Sequence, residues 1–433
     1  MIYHSLNNNS PSVNFKEATI AGQSPDGGLY FPENIPTLSQ AFLNSMQQMT
    51  NEEIAYEVMR PYIVNAIPDN ILADIIQETV NFPIPLVQVK ENIFSLEMFH
   101  GNTLSFKDIG ARFMSRCLGY FVKDNNRKVT VLVATSGDTG GAVADGFYGI
   151  DGVQVVIVYP SGKVSAVQEK QLTTFGNNIF AIEVNGTFDD CQRLVKKAFT
   201  DKSLKDEIFL TSANSINVAR WLPQQFFYFF AYKQWKDKNN PPIISIPSGN
   251  FGNICAGLLA MKSGLPIKHF IAACNANDVV PKYLNTNQYI AQQSVPTISN
   301  AMDVGDPSNF VRILKMFNSD VNLLKEIFSS VSISDLETKH SIQRVFVEHN
   351  YLLDPHGAVG FLALEKYLST HPNQQGFFAE TAHPIKFYDV VEPIINQKIP
   401  TLPSILDMEN KEKKSKKVEV DYEEFHEYLL SIK

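Results

Sequence analysis

The chain has 433 residues, of which 44% are hydrophobic and 19% are charged, so neither a disordered nor a fibrous protein is expected. Lysine and arginine number 37 and aspartate and glutamate number 45, which gives a formal net charge of −8. This balance disfavours nucleic acid as a partner, because a phosphate backbone requires a basic surface. No secretory signal and no run of about 18 apolar residues is visible, so we expect no membrane partner and a cytoplasmic location.

The residues that most often bind metals show no ligand spacing. The cysteines are far apart and include no CxxC pair: Cys117, Cys191, Cys255 and Cys274. The three histidines considered as ligands have neither HxH nor HExxH spacing: His100, His356 and His383. We therefore predict no metal site and no disulfide framework, and we interpret these histidines as structural residues or as residues behind a site.

Residues 1–90 are expected to form a mostly helical N-terminal domain. Thr50 precedes an acidic first turn and a periodic apolar pattern, which predicts a capped helix. The pattern from Asp69 to Val80 predicts a second amphipathic helix. Pro83 and Pro85 then mark the passage into a different type of sequence.

Residues 91–390 alternate short apolar runs with glycine-rich loops and helical patterns. Strands are predicted at 129–134, 153–158, 243–246 and 267–273. Short continuous apolar strands alternating with helices are typical of parallel α/β sheets covered on both faces. Ligands of such folds bind beyond the carboxyl ends of the strands, where the glycine-rich loops are expected.

The C-terminal tail, 391–433, is predicted to be helical. Its basic run, 411–417, permits two interpretations, an anionic docking patch or a solvated connector before a terminal helix. We favour the connector, because charge runs usually face solvent.

The first candidate site is the glycine loop, residues 248–253, with the sequence Ser-Gly-Asn-Phe-Gly-Asn. Its glycines permit close approach of the backbone to an anion, and the helix that follows presents its positive end. A phosphate is thus held without lysine or arginine. The alternative is an ordinary strand-to-helix turn.

A second loop of this type is the serine loop, residues 135–139. The hydroxyls of Ser136 and Thr139, together with exposed backbone N–H groups, suit a carboxylate or a second phosphate. The alternative is again a tight turn.

Lys107 is placed where a helix over 109–122 is about to begin. A positive helix end and burial both favour a neutral amine, which is the form that attacks an aldehyde. Lys107 is therefore a candidate Schiff-base lysine, although an isolated lysine is usually a solvated surface residue.

A further group of polar residues could orient and clamp an anionic substrate. Its members are Lys163, Asn214, Ser215, Asn217 and Arg220. The alternative for these residues is helix capping and surface charge. Thr381 could offer a hydroxyl to a ring nitrogen, the alternative being a helix cap before Pro384.

Five motifs together resemble the threonine synthase family, from about residue 7 to residue 387. They are Ser105-Phe-Lys-Asp, Thr135-Ser-Gly-Asp-Thr-Gly, Ser212-Ala-Asn-Ser-Ile-Asn, Ser248-Gly-Asn-Phe-Gly-Asn and Thr381-Ala-His-Pro. The resemblance implies a pyridoxal-phosphate enzyme of the tryptophan-synthase-β-like fold class, PLP fold type II. That fold is α/β, with two open, mostly parallel sheets covered by helices in two subdomains of region 91–390, after a helical N-terminal segment.

The resemblance also implies a role for each candidate residue. Lys107 would bind pyridoxal 5′-phosphate and later act as the base. The cofactor phosphate would be held by Gly249, Asn250, Phe251, Gly252 and Asn253, and Thr381 would contact the ring nitrogen. The substrate carboxylate would bind at Ser136, Gly137, Asp138 and Thr139. The substrate phosphate would bind at Lys163, Asn214, Ser215, Asn217 and Arg220.

The reaction implied is conversion of O-phospho-L-homoserine and water to L-threonine and phosphate, by a monomer or a homodimer. Two alternatives are a phospho-lyase that releases a keto acid and ammonia, and a catalytically silent phosphate-ligand binding protein. Asp138 departs from the asparagine found in many relatives of this fold class, and its role is left open because an acid repels a carboxylate unless it is turned away or hydrogen-bonded.

Overall fold

The computed structural model describes residues 1–123 and 128–433, and these form two compact units. The first unit comprises Met1, Phe31–Phe106 and Trp221–Pro400, and the second comprises Ile2–Tyr30, Lys107–Arg220 and Thr401–Lys433. The division expected from the sequence, with boundaries at residues 90 and 390, consists of consecutive segments. Each compact unit of the structure is instead assembled from segments that are not consecutive in the chain. In the described ranges, no helix has the length and apolarity needed to span a bilayer.

The strands are numbered in chain order. They are β1 Ile2–Ser5, β2 Val13–Asn14, β3 Tyr30–Pro32, β4 Leu86–Lys90, β5 Ile93–Glu97, β6 Val129–Ala134, β7 Val153–Pro160, β8 Ile179–Val184, β9 Phe209–Thr211, β10 Ile243–Pro247, β11 His269–Cys274, β12 Phe328–Ser332, β13 Gly376–Glu380 and β14 Ser415–Val418.

The α-helices are numbered in the same way. They are α1 Phe15–Ala21, α2 Gln40–Ser45, α3 Asn51–Ile63, α4 Asp69–Thr79, α5 Lys107–Val122, α6 Asp138–Phe147, α7 Ala166–Thr173, α8 Phe188–Thr200, α9 Lys202–Glu207, α10 Val218–Trp221, α11 Phe226–Gln234, α12 Gly252–Lys262, α13 Val279–Thr286, α14 Phe310–Met316, α15 Val321–Ile327, α16 Asp335–His349, α17 Pro355–Ser369, α18 Tyr388–Ile395, α19 Pro403–Glu409 and α20 Tyr422–Ser431. Short 3₁₀ helices occur at Met46–Gln48, Leu222–Gln225, Asn300–Met302 and Pro384–Phe387.

The first unit is built on a six-stranded sheet in the order β12-β11-β10-β13-β5-β4. All pairs are parallel except β4 with β5, and Ser245 of β10 lies opposite Ile271 of β11 and Phe378 of β13. Helix α17 packs against β10 and β13, and nearly every residue of α12 is buried. This burial on both faces accounts for the continuous apolar runs in the sequence.

The second unit is built on a five-stranded sheet in the order β14-β8-β7-β6-β9, with all pairs parallel. All eight residues of the central strand β7 are buried. Helices α5 and α6 pack together, and α8 packs against β6 and β7. In this unit, β1 also pairs with β2 in antiparallel orientation. The predicted α/β architecture with mostly parallel sheets is confirmed.

Local signals in the sequence located most of the predicted elements. Thr50 caps α3 by a reciprocal capping box with Glu53, and α4 occupies nearly the whole of its predicted range. The four predicted strands correspond to β6, β7, β10 and β11, each shifted by two residues or fewer. Helix α6 begins at Asp138, within the serine loop, and its glycines allow close packing, because a Cβ at Gly140 would lie 2.5 Å from Leu172.

The basic run faces solvent over most of its length, as expected, but its last residues belong to a strand and not to a connector. Residues Ser415–Val418 form β14, which pairs with β8, and Lys413 lies 2.7 Å from carboxylate oxygens of both Glu169 and Glu183. The predicted terminal helix is confirmed as α20. Sequence patterns could not show this pairing, because the partners are more than 200 residues away along the chain.

Candidate active site

The glycine loop follows the carboxyl end of β10 and leads into α12 in the first unit. Gly249 packs directly against a neighbouring backbone, because a Cβ there would lie 2.6 Å from the Cα of Met302. Phe251 adopts a left-handed conformation with φ of 60° and does not cap the helix with its side chain. The first-turn N–H groups of α12 are therefore not capped by this residue, and they form the type of site that binds phosphate.

Asn253 supplies a buried donor in the first turn of α12. The residue is 6% exposed, and the Tyr228 hydroxyl contacts both its carbonyl oxygen, at 2.9 Å, and its Oδ1. Its Nδ2 is buried and has no hydrogen-bond partner among the described residues. An unsatisfied buried donor costs about 1–3 kcal/mol, so its presence indicates an absent acceptor. The loop thus fits the phosphate of pyridoxal phosphate.

Thr381 follows the end of β13 in the same unit and is 7% exposed. The Phe106 N–H donates to the Thr381 carbonyl at 2.9 Å, and the His383 N–H donates to the Leu104 carbonyl at 3.0 Å. The segment that leads directly into Lys107 is thereby fixed to the segment that carries Thr381.

The helix cap before Pro384 is His383, not Thr381. His383 Nδ1 accepts the Ile385 N–H at 3.1 Å, and burial lowers the pKa of His383 to about 4. The ring is therefore neutral at physiological pH and remains an acceptor. The interpretation of His383 as a structural residue agrees with this contact, and the capping alternative for Thr381 does not apply.

Glu380 is a buried acid next to Thr381 that sequence reasoning missed. Its Oε1 accepts the Asp354 N–H at 2.7 Å, and a Cβ at Gly357 would lie 1.6 Å from its Oε2. Complete burial and the nearby Asp354 raise the pKa of Glu380 well above its usual value, which favours the protonated form of the carboxyl group. The only signal in the sequence was a glutamate at the end of an apolar strand.

Lys107 is the first residue of α5 in the second unit, so the helix begins two residues before the predicted start at residue 109 and ends, as predicted, at residue 122. Its side chain is 17% exposed, and its Nζ lies 3.7 Å from Oδ2 of Asp138, which is 4% exposed. Asp138 Oδ1 accepts a hydrogen bond from Gln168 Nε2 at 2.9 Å. Asp138 therefore favours the ammonium form of Lys107, and Gln168, which belongs to none of the sequence motifs, orients the Asp138 carboxylate.

The serine loop connects β6 to α6. Thr135 Oγ1 accepts the N–H groups of Gly137 and Gly140 at 3.0 and 2.9 Å, which closes the turn, and Gly137 has a φ of 131°. Ser136 and Thr139 are only half-buried. Thr135 thus shapes the loop, while the two other hydroxyls remain near the surface.

The remaining predicted site residues of the second unit differ in exposure. Lys163 is exposed in the turn after β7, and Asn214 and Ser215 are half-buried after β9. Asn217 is fully buried, where its Nδ2 donates to the Thr19 carbonyl at 2.9 Å and its Oδ1 accepts the Ala219 N–H at 3.0 Å.

Arg220 is 3% exposed. Burial lowers the pKa of Arg220 to about 10, while the Asp108 carboxylate acts in the opposite direction, so the side chain is charged at neutral pH. A Cβ at Gly110 would lie 2.7 Å from the Arg220 carbonyl oxygen, so α5 packs closely on this residue. The sequence predicted a charge at this position but not its burial.

Comparison with protein families gives three consistent matches. Residues 79–375 match the model of pyridoxal-phosphate dependent enzymes, residues 2–80 the threonine synthase N terminus, and residues 357–429 the threonine synthase C-terminal region. In the described part of the chain, no group of three or more His, Cys, Asp or Glu residues is arranged to hold a metal ion.

Relatives match over nearly the whole length. The chain is 41% identical to threonine synthase of Haemophilus influenzae over 432 residues, covering 99% of this chain and 100% of that one. The crystal structure of Escherichia coli threonine synthase covers 100% of both chains with a TM-score of 0.93 and 38% identity. A PLP-bound threonine synthase from Brucella melitensis covers 100% of this chain and 99% of that one, with a TM-score of 0.94 and 32% identity.

The fold and the matches define a pyridoxal-phosphate-dependent enzyme of fold type II with lyase chemistry. The chain belongs to the threonine synthase family, and its function is that of a threonine synthase. The resemblance drawn from the five motifs is confirmed.

Proposed function

We propose that this chain converts O-phospho-L-homoserine and water to L-threonine and phosphate in the cytoplasm, as the last step of threonine biosynthesis. The proposal is carried by two features together. Lys107 is at the N-terminus of α5, and the glycine loop contains Asn253 Nδ2, a buried donor without a hydrogen-bond partner among the described residues. An amine that bonds to an aldehyde and a site for a phosphate ester are what pyridoxal phosphate requires.

The proposed roles toward the cofactor follow from these contacts. Lys107 Nζ would hold the aldehyde group of the cofactor. Backbone N–H groups of residues 249–253 and Asn253 Nδ2 bind the phosphate, and the Thr381 hydroxyl meets the ring nitrogen. A neutral hydroxyl at that nitrogen leaves the ring less electron-poor than a carboxylate would.

Bound pyridoxal phosphate supplies an electron sink for the substrate carbon chain. Lys107 Nζ removes the Cα proton of the substrate and later returns a proton. The serine loop, with Ser136, Gly137 and Thr139, binds the substrate carboxylate, and Asp138 acts through Lys107, because an acid paired with an ammonium group does not face a second carboxylate.

In the net reaction, the substrate phosphate leaves from Cγ, Cβ loses a proton and Cγ gains one to become the methyl group, while water gives its hydroxyl group to Cβ and its other proton to the released phosphate. Phosphate requires cationic and polar donors in a site that is accessible to the substrate. Lys163, Asn214 and Ser215 have that accessibility. We assign Asn217 and Arg220, which are buried, to holding the segment from which Asn214 and Ser215 extend.

Product analysis tests this function. Purified protein supplied with pyridoxal phosphate and O-phospho-L-homoserine should release threonine and inorganic phosphate in equal amounts. Release of 2-oxobutanoate and ammonia instead would show a phospho-lyase, and binding without turnover would show a silent ligand-binding protein. Light scattering during the same preparation distinguishes the monomer from the homodimer, the two states proposed.

A further inference from the structure

A buried arginine of the first unit is connected to the glycine loop through one asparagine. Arg312 of α14 has no exposed surface, and its guanidinium lies 4.3 Å from the centroid of the Trp221 ring. Its Nη1 donates to Asn309 Oδ1 at 2.7 Å. No motif in the sequence drew attention to either residue.

Asn309 transmits this contact to the loop. It is fully buried, and both its Nδ2 and its backbone N–H donate to the carbonyl oxygen of Asn250, at 3.1 and 3.3 Å. The orientation of its amide is determined by the partners, because Arg312 only donates and the Asn250 carbonyl only accepts. Arg312 therefore determines which atom of Asn309 faces the loop.

The neighbouring residues hold the same part of the loop. Ser308 donates to Asn250 Oδ1 through both its backbone N–H and its hydroxyl, each at 2.7 Å. The Phe310 ring meets the Phe251 ring edge to face at 5.6 Å. We call residues 308–310 and 312 the loop support. Residues 308–310 contact Asn250 or Phe251 directly, and Arg312 acts through Asn309.

Fixing the Asn250 carbonyl also fixes the next N–H group. In a planar trans peptide the carbonyl of Asn250 and the N–H of Phe251 point in opposite directions. Because the carbonyl is directed at Asn309, the Phe251 N–H points away from the loop support. The left-handed conformation of Phe251 then turns the chain into the first turn of α12. Successive N–H groups in such an arrangement form an anion-binding concavity.

We propose that Arg312 is a positioning residue for the cofactor phosphate, acting through Asn309 on the N–H groups of the glycine loop. This inference rests on the proposed assignment of that loop to the phosphate. Arginine suits the position because its planar group stacks on an indole while donating in its own plane, and lysine cannot do both.

The test compares pyridoxal phosphate with pyridoxal, which has the aldehyde but lacks the phosphate. Cofactor-free full-length protein is titrated with each compound, and binding is followed by absorbance. Asn309→Asp keeps the acceptor for Arg312 but loses the Nδ2 donor to Asn250, so it should fold and still weaken the phosphate site. Arg312→Lys is the second variant, and Arg344→Lys is the control, because Arg344 belongs to α16 and pairs with Glu365.

Both loop-support variants should weaken the affinity for pyridoxal phosphate by about tenfold or more, because each loses one buried hydrogen bond. Their affinity for pyridoxal should change by less than about twofold. Arg344→Lys should change neither. Equal losses for both compounds, or a wild-type affinity of Asn309→Asp for pyridoxal phosphate, would overturn the positioning role. If wild-type protein binds the two compounds equally, the proposed function of the glycine loop fails instead.

Discussion

At the residue scale, the contact between Asp138 and Lys107 affects whether the lysine amine is charged or reactive. A carboxylate 3.7 Å from Nζ favours the ammonium form, whereas only the neutral amine attacks an aldehyde. The aspartate at position 138, where many relatives of the fold class have asparagine, therefore has a partner in the structure, the amine of Lys107. Asp138 stabilises the lysine when no cofactor is bound.

Replacing Asp138 with Asn tests this view. The variant should capture pyridoxal phosphate faster than the wild type, by about tenfold for each pKa unit that the acid contributes, because more of the amine is neutral. Stopped-flow absorbance of cofactor-free protein measures the rate. Gln168→Leu, which removes the hydrogen bond to Asp138 together with the capping bond from the Ser165 N–H but keeps the acid, is the comparison variant and should have a smaller effect. Slower capture by Asp138→Asn would contradict the assignment.

His269 gives a pH-dependent contribution to stability that is independent of the proposed site. Burial, with a smaller effect from His371, lowers the pKa of His269 to about 4 from 6.5. As pH falls, the unfolded state therefore takes up the proton before the folded state does. The contribution of neutral His269 to stability is complete above pH 6.5 and is lost as pH falls toward 4. The loss amounts to about 3 kcal/mol at most, at about 1.4 kcal/mol per pKa unit.

His269→Gln should remove this component. Urea unfolding between pH 4 and 7 should show a flatter dependence for the variant, with similar stability at pH 7, because glutamine can retain a bond to Ser329. His340→Gln, at an exposed position, should leave the profile of the wild type unchanged. A variant profile that superimposes on the wild type would refute burial of a neutral imidazole at position 269.

At the scale of elements, α17 and β13 meet through one glycine, Gly357, and one buried acid, Glu380. A Cβ at Gly357 would lie 1.6 Å from Oε2 of Glu380, the residue before Thr381. The helix can approach the strand end only because position 357 lacks a side chain. The conformation of Thr381 thus depends on a contact made by its neighbour.

Gly357→Ala should therefore lower the free energy of unfolding by about 1–3 kcal/mol, the usual cost of overpacking. Glu380→Ala removes the atoms that collide with the new methyl group. Gly357→Ala should therefore cost less stability in the Glu380→Ala background than in the wild type. Urea unfolding of the four proteins measures the coupling. Additive effects would show that the two residues do not share the contact.

The sequence predicted the elements that depend on local signals. Thr50 marked the start of α3, and the glycine-rich loops marked the carboxyl ends of β6 and β10. It could not predict contacts between segments far apart in the chain. The carbonyl of Asn250 is held by Asn309, and β14 is paired with a strand more than 200 residues earlier, and neither pairing leaves a local pattern.

The same limit applied to burial of charged residues. Arg220 and Arg312 look like surface residues in the sequence, but both are almost completely buried. Whether a charge is buried depends on which helices pack over it, and that is a property of the tertiary structure.

At the scale of the whole molecule, the C-terminal tail completes the core of the second unit. Phe425 and Leu429 of α20 are fully buried in one cluster with Cys191, Leu194 and Val184. The family match to a threonine synthase C-terminal region at 357–429 includes this segment. The tail is therefore an integral part of that core.

Phe425→Ala should lower the stability of the second unit by about 3–5 kcal/mol, the usual cost of deleting a buried aromatic ring. Native-state hydrogen exchange should show faster exchange in β7 and β8, while β10 and β11 keep their protection. Glu427→Ala, on the exposed side of the same helix, is the control. Equal loss of protection in all four strands would show that the two units do not open independently.

The pairing of β14 with β8 has a consequence for biosynthesis. Residues 415–418 leave the ribosome more than 200 residues after β8, so the edge of β8 lacks this neighbour until they emerge. An unpaired parallel edge is an opening for association with other chains. A nascent polypeptide interrupted by a premature stop after residue 400 would keep that opening permanently, and we expect the cell to degrade such a product or accumulate it as aggregate.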